Sequence, residues 1–213
     1  ELETAESVWF WLDTGPNMMF HSELSETSKK TEAQILVLAT VLLLMQGGEN
    51  FGLAGASART SHGTVAFDRF AHFVMDQNEF DLEAFSKRHA ASGRSRYVLV
   101  SDFLYPPEDI EATLKKLSGT GCTGFLLHMA DPAEVSLPYS GRTRFEGLKE
   151  DLSLTLGKVE AYREDYQKRF ADHQALLEDL SKSLSWSYHF HATDQPTGTA
   201  LSALYTALQG GNG

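Results

Sequence analysis

Residues 8–12 read Val-Trp-Phe-Trp-Leu and run straight into Asp13, Gly15 and Pro16. Side chains alternate sides along an extended chain, so five bulky apolar residues in a row leave neither side for water. Such a run fits only a strand covered on both faces, and a turn stops it. The rest of the chain supplies the cover. Residues 31–46 are apolar almost all round and end at Gly47-Gly48, as a helix packed deep against a sheet would. Residues 51–56 read as a Gly-containing second strand, and residues 64–76 set Val65, Phe67, Phe70, Phe73 and Val74 along one helical stripe. A shorter helix is expected over 81–89. Residues 97–100 form another β-rich run ending at Ser101-Asp102, Pro106-Pro107 with Asp109 and Glu111 open a helix reaching Leu117, and residues 123–129 make the next strand. Strands alternating with helices call for crossover connections, so the expected class is α/β: a doubly wound, mainly parallel sheet with helices on both faces.

Three segments depart from that alternation. Residues 142–148 and 152–156 flank an acidic, Gly-containing turn and read as a small β-hairpin insertion at about 140–157. A long helix is expected over 159–184, with Tyr162, Tyr166, Phe170, Leu177 and Leu180 at three- and four-residue steps. Residues 186–191 alternate Trp, Tyr and Phe against Ser and His as a last strand, and 199–208 close the chain as a helix. One domain over 1–209, with 210–213 as a flexible tail, is the organisation these patterns favour.

Charge narrows the partners. With 18 Lys and Arg against 29 Asp and Glu the chain carries −11, a field that repels phosphate backbones. The longest basic cluster, Lys87-Arg88-His89 with Arg94 and Arg96, reads as a solvated helix end, so nucleic acid is not an expected partner. Cys122 is the only cysteine, which forbids an intrachain disulfide, and its apolar surroundings predict burial. The apolar stretch 35–45, broken only by Thr40, is shorter than the ~20 residues of a membrane span. Glu1 stands almost directly before the first strand with no signal-peptide pattern, as expected of a fragment that contains no membrane span itself.

In an open parallel sheet, ligands sit beyond the carboxyl ends of the strands, so residues just after strands are the first candidates. Asp13 and Asp102 both stand there. If their strands are neighbours, the two carboxylates converge on one crevice and could hold a hard divalent cation; otherwise each is a turn or cap residue. His189 and His191 share one face of the last strand at a spacing that can clip a metal, but with no third ligand in view ordinary packing is favoured, as it is for His62 and His128. Catalytic motifs are missing. Gly52-Leu-Ala-Gly55-Ala-Ser57 lacks the dinucleotide spacing, no phosphate loop occurs, and Ser57 has Arg59 where a nucleophile elbow needs Gly. A phosphoryl-accepting Asp13 would want a second acid two residues on, where Gly15 stands.

Four stretches together carry a resemblance: Val8-Trp-Phe-Trp-Leu-Asp13 with Met18-Met-Phe20; Gly47-Gly-Glu-Asn-Phe-Gly-Leu53; Tyr97-Val-Leu-Val-Ser-Asp-Phe103; and His128-Met-Ala-Asp-Pro-Ala-Glu134 followed by Leu137-Pro138. In this order they resemble domain-of-unknown-function family 58, von Willebrand factor A-like proteins often encoded beside MoxR-type AAA+ ATPases. The family's upstream Tyr-x-x-Gly-Asp segment is not in the chain, which reads as the part that follows it. The resemblance implies that the first strand lies beside the one ending at Asp102, with a metal-ion-dependent adhesion site at their tips. That site's pattern is Asp-x-Ser-x-Ser; here Asp13-Thr14-Gly15-Pro16-Asn17 keeps the acid and replaces both serines. Asn17 could offer an amide oxygen, Asp102 matches the later acid, and the intervening Thr falls near Thr60 or Thr64. The implied cofactor is none, or weakly bound Mg²⁺. Asp131 and Glu134 of the family's Asp-Pro-x-Glu run could face a partner, although Pro after Asp also makes an extended exit into a structural loop.

The expectation is therefore a non-catalytic protein-interaction module. Its partner, by resemblance a MoxR-type AAA+ ATPase, docks at the carboxyl end of the sheet through Asp13, Asp102, Asp131 and Glu134. The alternatives are a Mg²⁺-dependent hydrolase using Asp13 and Asp102, and a scaffold self-associating through Tyr162, Tyr166 and Phe170. The expected location is the cytoplasm, compatible with membrane association of a longer protein.

Overall fold

In the computed structural model, which describes residues 7–57, 59–76, 82, 85, 95–119, 121–147 and 153–209, the first apolar run is strand β1 (Ser7–Leu12). Val8, Phe10 and Leu12 enter one core and Trp9 and Trp11 another, as alternation demands of a strand with no wet side. The remaining strands are β2 (Asn50–Leu53), β3 (Ser95–Ser101), β4 (Thr123–Ala130), β5 (Thr143–Glu146), β6 (Ser153–Leu156) and β7 (Ser187–Ala192). Five of them form one sheet in the order β2-β1-β3-β4-β7, parallel throughout. β1 lies beside β3, and β5 and β6 pair antiparallel outside the main sheet, both as expected.

Helices α1 (Lys29–Gln46), α2 (Thr64–Met75) and α6 (Thr197–Gln209) cover one face, burying Leu36, Val41, Phe70 and Leu204 over Phe10 and Val98. On the other face α3 (Pro107–Ser118) and α5 (Arg163–Ser183) bury Ile110, Leu114 and Leu177 with Trp11, Tyr97 and Trp186. Between β4 and β5 runs a short helix, α4 (Pro132–Ser136). Aromatic rings lie over two glycines in the strands: a Cβ on Gly124 would stand 2.4 Å from the Trp186 ring, and one on Gly52 2.9 Å from Trp9. Those positions lack a side chain because an indole occupies its space.

Several boundaries shift for local reasons. Ser28 accepts a hydrogen bond from the Thr31 amide, so α1 starts at Lys29 rather than at residue 31. Its all-round apolar pattern does not mean full burial, since Ile35 and Leu42 are 47% and 39% exposed. Residues 159–162, expected as helix, form a 3-10 turn before α5. The loop expected after Asp131 is instead α4. Asp131 accepts from the Ala133 amide, Glu134 reaches back to the Asp131 amide, and Pro132 takes the first helical position, where its missing N–H costs nothing. Of the helix expected over 81–89, only Leu82 and Phe85 are described; both are helical and buried. Lys87, Arg88, His89, Arg94, the tip of the hairpin and residues 210–213 lie outside the described residues. Among the described residues no helix is long and apolar enough to cross a membrane.

Candidate functional site

Strand pairing carries Asp13 to its place. Its amide donates to the Val100 carbonyl at 2.9 Å, extending the β1–β3 ladder one residue past Leu12. The side chain then faces Ser101, the last residue of β3. Asp13 Oδ1 accepts from the Gly15 amide at 2.8 Å, and Oδ2 accepts from the Ser101 hydroxyl at 2.6 Å and the Tyr105 hydroxyl at 2.9 Å. Only 2% of Asp13 is exposed, and burial raises its pKa against the opposing pull of these donors. Burial and the Asp13 charge together push the Tyr105 hydroxyl well above its ordinary value.

Asp102, 3% exposed, meets a residue that sequence reading did not single out. Lys29 is 0% exposed, and its Nζ donates to Asp102 Oδ2 at 2.9 Å and to Glu134 Oε1 at 2.7 Å. Burial alone would lower the Lys29 pKa; the carboxylates of Asp102 and Glu134 reverse that and hold it above the usual range. Burial raises Glu134, with Lys29 pulling the other way. The other Asp102 oxygen accepts from the Leu104 amide at 3.2 Å. A signal for Lys29 was present. A cation in the first turn of a helix opposes the helix dipole, so a lysine there that points inward requires acids to receive it.

The Asp131 carboxylate, fully buried, closes the arrangement. One oxygen caps α4, and the other accepts from the Ser22 amide at 2.7 Å, tying the β1–α1 connection to the β4–α4 turn. Two non-glycine residues beside the site, Phe103 and Leu137, have positive φ of 50° and 45°. Such a backbone costs of order 1–3 kcal/mol and persists only where the surroundings impose it.

Asp13, Asp102, Asp131 and Glu134 are thus gathered at the carboxyl end of the sheet. Asn17 lies in the adjoining 3-10 turn (Pro16–Met19) with its side chain exposed. Thr60 and Thr64 are not brought to the acids. After β2 the chain doubles back through the antiparallel Phe51–Ser61 bridge. Thr60 therefore bonds Ser7 at the start of β1, and Thr64 is exposed at the start of α2. Asp13, Asp102 and Asp131 are too buried to touch a partner themselves; Glu134 alone reaches a surface groove.

These side chains do not fit a divalent cation. Both Asp13 oxygens are engaged by protein donors, Gly15 brings no ligand, Asn17 is exposed in the wall of the adjoining groove, and an ammonium fills the space between Asp102 and Glu134. A second cation there would meet a fixed positive charge within an ion-pair distance. Among the described residues no group of three or more His, Cys, Asp or Glu could hold a metal. His191 is buried near Glu32, at 3.4 Å, and His189 is half-buried. His62 bonds Asn50, and Cys122 is buried.

His128 is packed among Phe103, Phe170, His173, Tyr188 and Phe190, with Nδ1 2.9 Å from the Tyr188 hydroxyl. Burial pushes its pKa down to about 3. Of the long-helix aromatics, Tyr162 is exposed, while Tyr166 and Phe170 are half-buried.

Beside the ion-pair network a groove of about 560 Å³ runs between the strand tips and the hairpin, lined by Phe20, Leu104, Leu137, Tyr139, Phe145 and Tyr166, with Glu134 in its wall. Met19, at the end of the 3-10 turn, and Leu24 and Leu104, on connections at this end of the sheet, are each more than half exposed.

No curated protein matches the chain. Among solved structures it is similar to an aerotolerance-related membrane protein from Bacteroides fragilis NCTC 9343 carrying multiple mutations to serines, at 16% identity and a TM-score of 0.60 over 97% of this chain and 100% of that one. It is likewise similar to the conserved hypothetical protein BatB from Bacteroides thetaiotaomicron, at 13% identity and a TM-score of 0.58 over 97% and 98% of the two chains. These likenesses concern the fold. Residues 1–176 match the family model described as Protein of unknown function DUF58, and the chain belongs to that family.

Proposed function

We propose that the chain is a non-catalytic, von Willebrand factor A-like interaction module whose protein partner docks at the carboxyl end of the sheet. One observation carries this reading: the acids gathered there are already satisfied from within. Lys29 donates to both Asp102 and Glu134, and hydroxyls and amides take up Asp13 and Asp131. A nucleophile or general base needs an oxygen free to reach substrate, and these oxygens are committed. What they hold in place is a rigid tip carrying exposed apolar residues, Met19, Leu24 and Leu104, which is the character of a contact surface. The adhesion-site pattern is on this reading a remnant in which an internal ammonium stands where a metal would serve. The partner the family resemblance points to is a MoxR-type AAA+ ATPase.

The test is co-purification of this chain with a MoxR-type ATPase. Leu104→Arg and Met19→Glu should weaken capture at least tenfold, while Val65→Glu, exposed at the start of α2, leaves it unchanged. Equal capture by all three variants would move the docking surface elsewhere. Hydrolysis of phosphate or acyl esters that vanishes in Asp13→Asn would overturn the non-catalytic reading.

A further inference from the structure

The groove beside the tip has one wall of an unusual kind. Thr143, Arg144, Phe145, Glu146 and Gly147 all line it. Successive side chains of a strand point to opposite faces, so five consecutive residues can share a groove only where it follows the strand's edge. The first four of these residues are β5 and Gly147 follows it; among the described residues β5 pairs with β6 alone, leaving its second edge open toward the groove. An open edge offers a row of backbone donors and acceptors, which is the template for adding a strand. The opposite wall, Leu104, Leu137, Tyr139 and Tyr166, supplies apolar and aromatic surface for the added strand's side chains.

Charge says what kind of strand fits. Glu134 and Glu146 line the groove, and Asp131 and Glu23 lie close enough to act on the Tyr139 hydroxyl. The acids exceed the cations near this wall: Lys29 lies between Asp102 and Glu134, Arg144 pairs with Glu146 at 3.2 Å, Arg163 bonds the Leu137 and Tyr139 carbonyls where it braces the loop, and Asp131 and Glu23 have no cation in these pairings. Tyr139 and Phe145 stand edge to face with ring centres 5.8 Å apart, so aromatic faces and carboxylates converge on the same space. A guanidinium or ammonium is the group that both attract. Burial, then the Glu134 charge, pushes the Tyr166 hydroxyl up to about 12, in keeping with a negative field across this wall. The chain's net −11 adds long-range attraction of the same sign.

We infer that the open edge of β5 takes up an extended segment of a protein partner, carrying Lys or Arg among alternating apolar residues, as a third strand of the hairpin sheet. This rests on the proposed docking at the carboxyl end and names the chemistry docked there. Selection of a displayed random nonapeptide library on the whole chain tests it, with photo-crosslinks mapping where the selected peptides sit. Peptides rich in Lys or Arg on an apolar alternation should be enriched and should crosslink to residues 143–147. Tyr166→Ala should weaken them at least tenfold with the main-sheet melting temperature unchanged. Glu146→Lys, at an exposed position, should weaken them several-fold and be rescued by peptides with glutamate in place of lysine. Acidic or unselective peptides, or binding indifferent to both variants, would overturn the inference. So would a concentration-dependent dimer that competes with the peptides, because it would assign the edge to a second copy. Crosslinks at Met19 and Leu104 but not along β5 would overturn strand addition and leave docking at the tip standing. Crosslinks confined to the α1 and α2 side would overturn both.

Discussion

At the scale of single residues, one lysine decides the character of the site. Bringing an ammonium out of water costs several kcal/mol, and Lys29 is fully buried because two carboxylates at 2.7 and 2.9 Å receive it. Lys29→Met strands both acids and should cost about 3–5 kcal/mol in urea denaturation. Adding Asp102→Asn and Glu134→Gln to it should recover most of that loss. Asp13→Asn behaves differently. Burial already disfavours the Asp13 charge, so the stability it contributes is greatest when protonated and fades as pH rises through its raised pKa. At neutral pH its amide replacement should cost no more than about 1 kcal/mol. His128 gives the acid response. Its folded pKa of about 3 lies below the unfolded value, so the unfolded chain binds the proton first and stability falls as pH drops below about 6.5. The slope is about 1.4 kcal/mol per pH unit, and His173, also held low by burial, acts in the same direction. His128→Phe should flatten this part of the stability curve measured between pH 7 and pH 4.5.

At the scale of elements, the strands were the most legible part of the sequence, because Val8-Trp-Phe-Trp-Leu and Tyr97-Val-Leu-Val admit no arrangement but a sheet buried on both faces. Their neighbouring placement brought Asp13 and Asp102 to one end, as the resemblance implied. What the sequence hid depends on contacts between distant segments. Lys29 lies 73 residues from Asp102 and 105 from Glu134, and the turn that puts it there depends on the Ser28 cap. The return of the chain along β2 through the Phe51–Ser61 bridge, which carries Thr60 to the start of β1, leaves no periodic trace. α4 was hidden because Asp-Pro can begin either an extended exit or a capped helix, and the Glu134 side chain decides between them. The glycines give an elemental test. Gly124→Ala drives a methyl into Trp186, which stacks on Tyr97, and should cost about 1–3 kcal/mol. Gly198→Ala in α6 meets nothing within 4 Å and should gain about 0.4–1 kcal/mol. Thermal melts of the pair check both signs.

At the scale of the whole molecule, two surfaces compete to be the contact face. One is the tip and groove built around the Lys29 network. The other is the outward apolar side of α1, with Ile35 and Leu42 exposed, on a different side of the sheet. The first combines a buried ion-pair network, carboxylates and exposed apolar residues. With a net charge of −11 behind it, its capture of a basic partner should weaken as salt shrinks the screening length below about 10 Å. Hydrogen exchange on the chain with and without its bound partner separates the two faces most directly. Docking at the tip should slow exchange at residues 16–20, 103–106 and 132–147 and leave α1 unchanged. Protection confined to α1 and α2, with the tip exchanging as in the free chain, would contradict it.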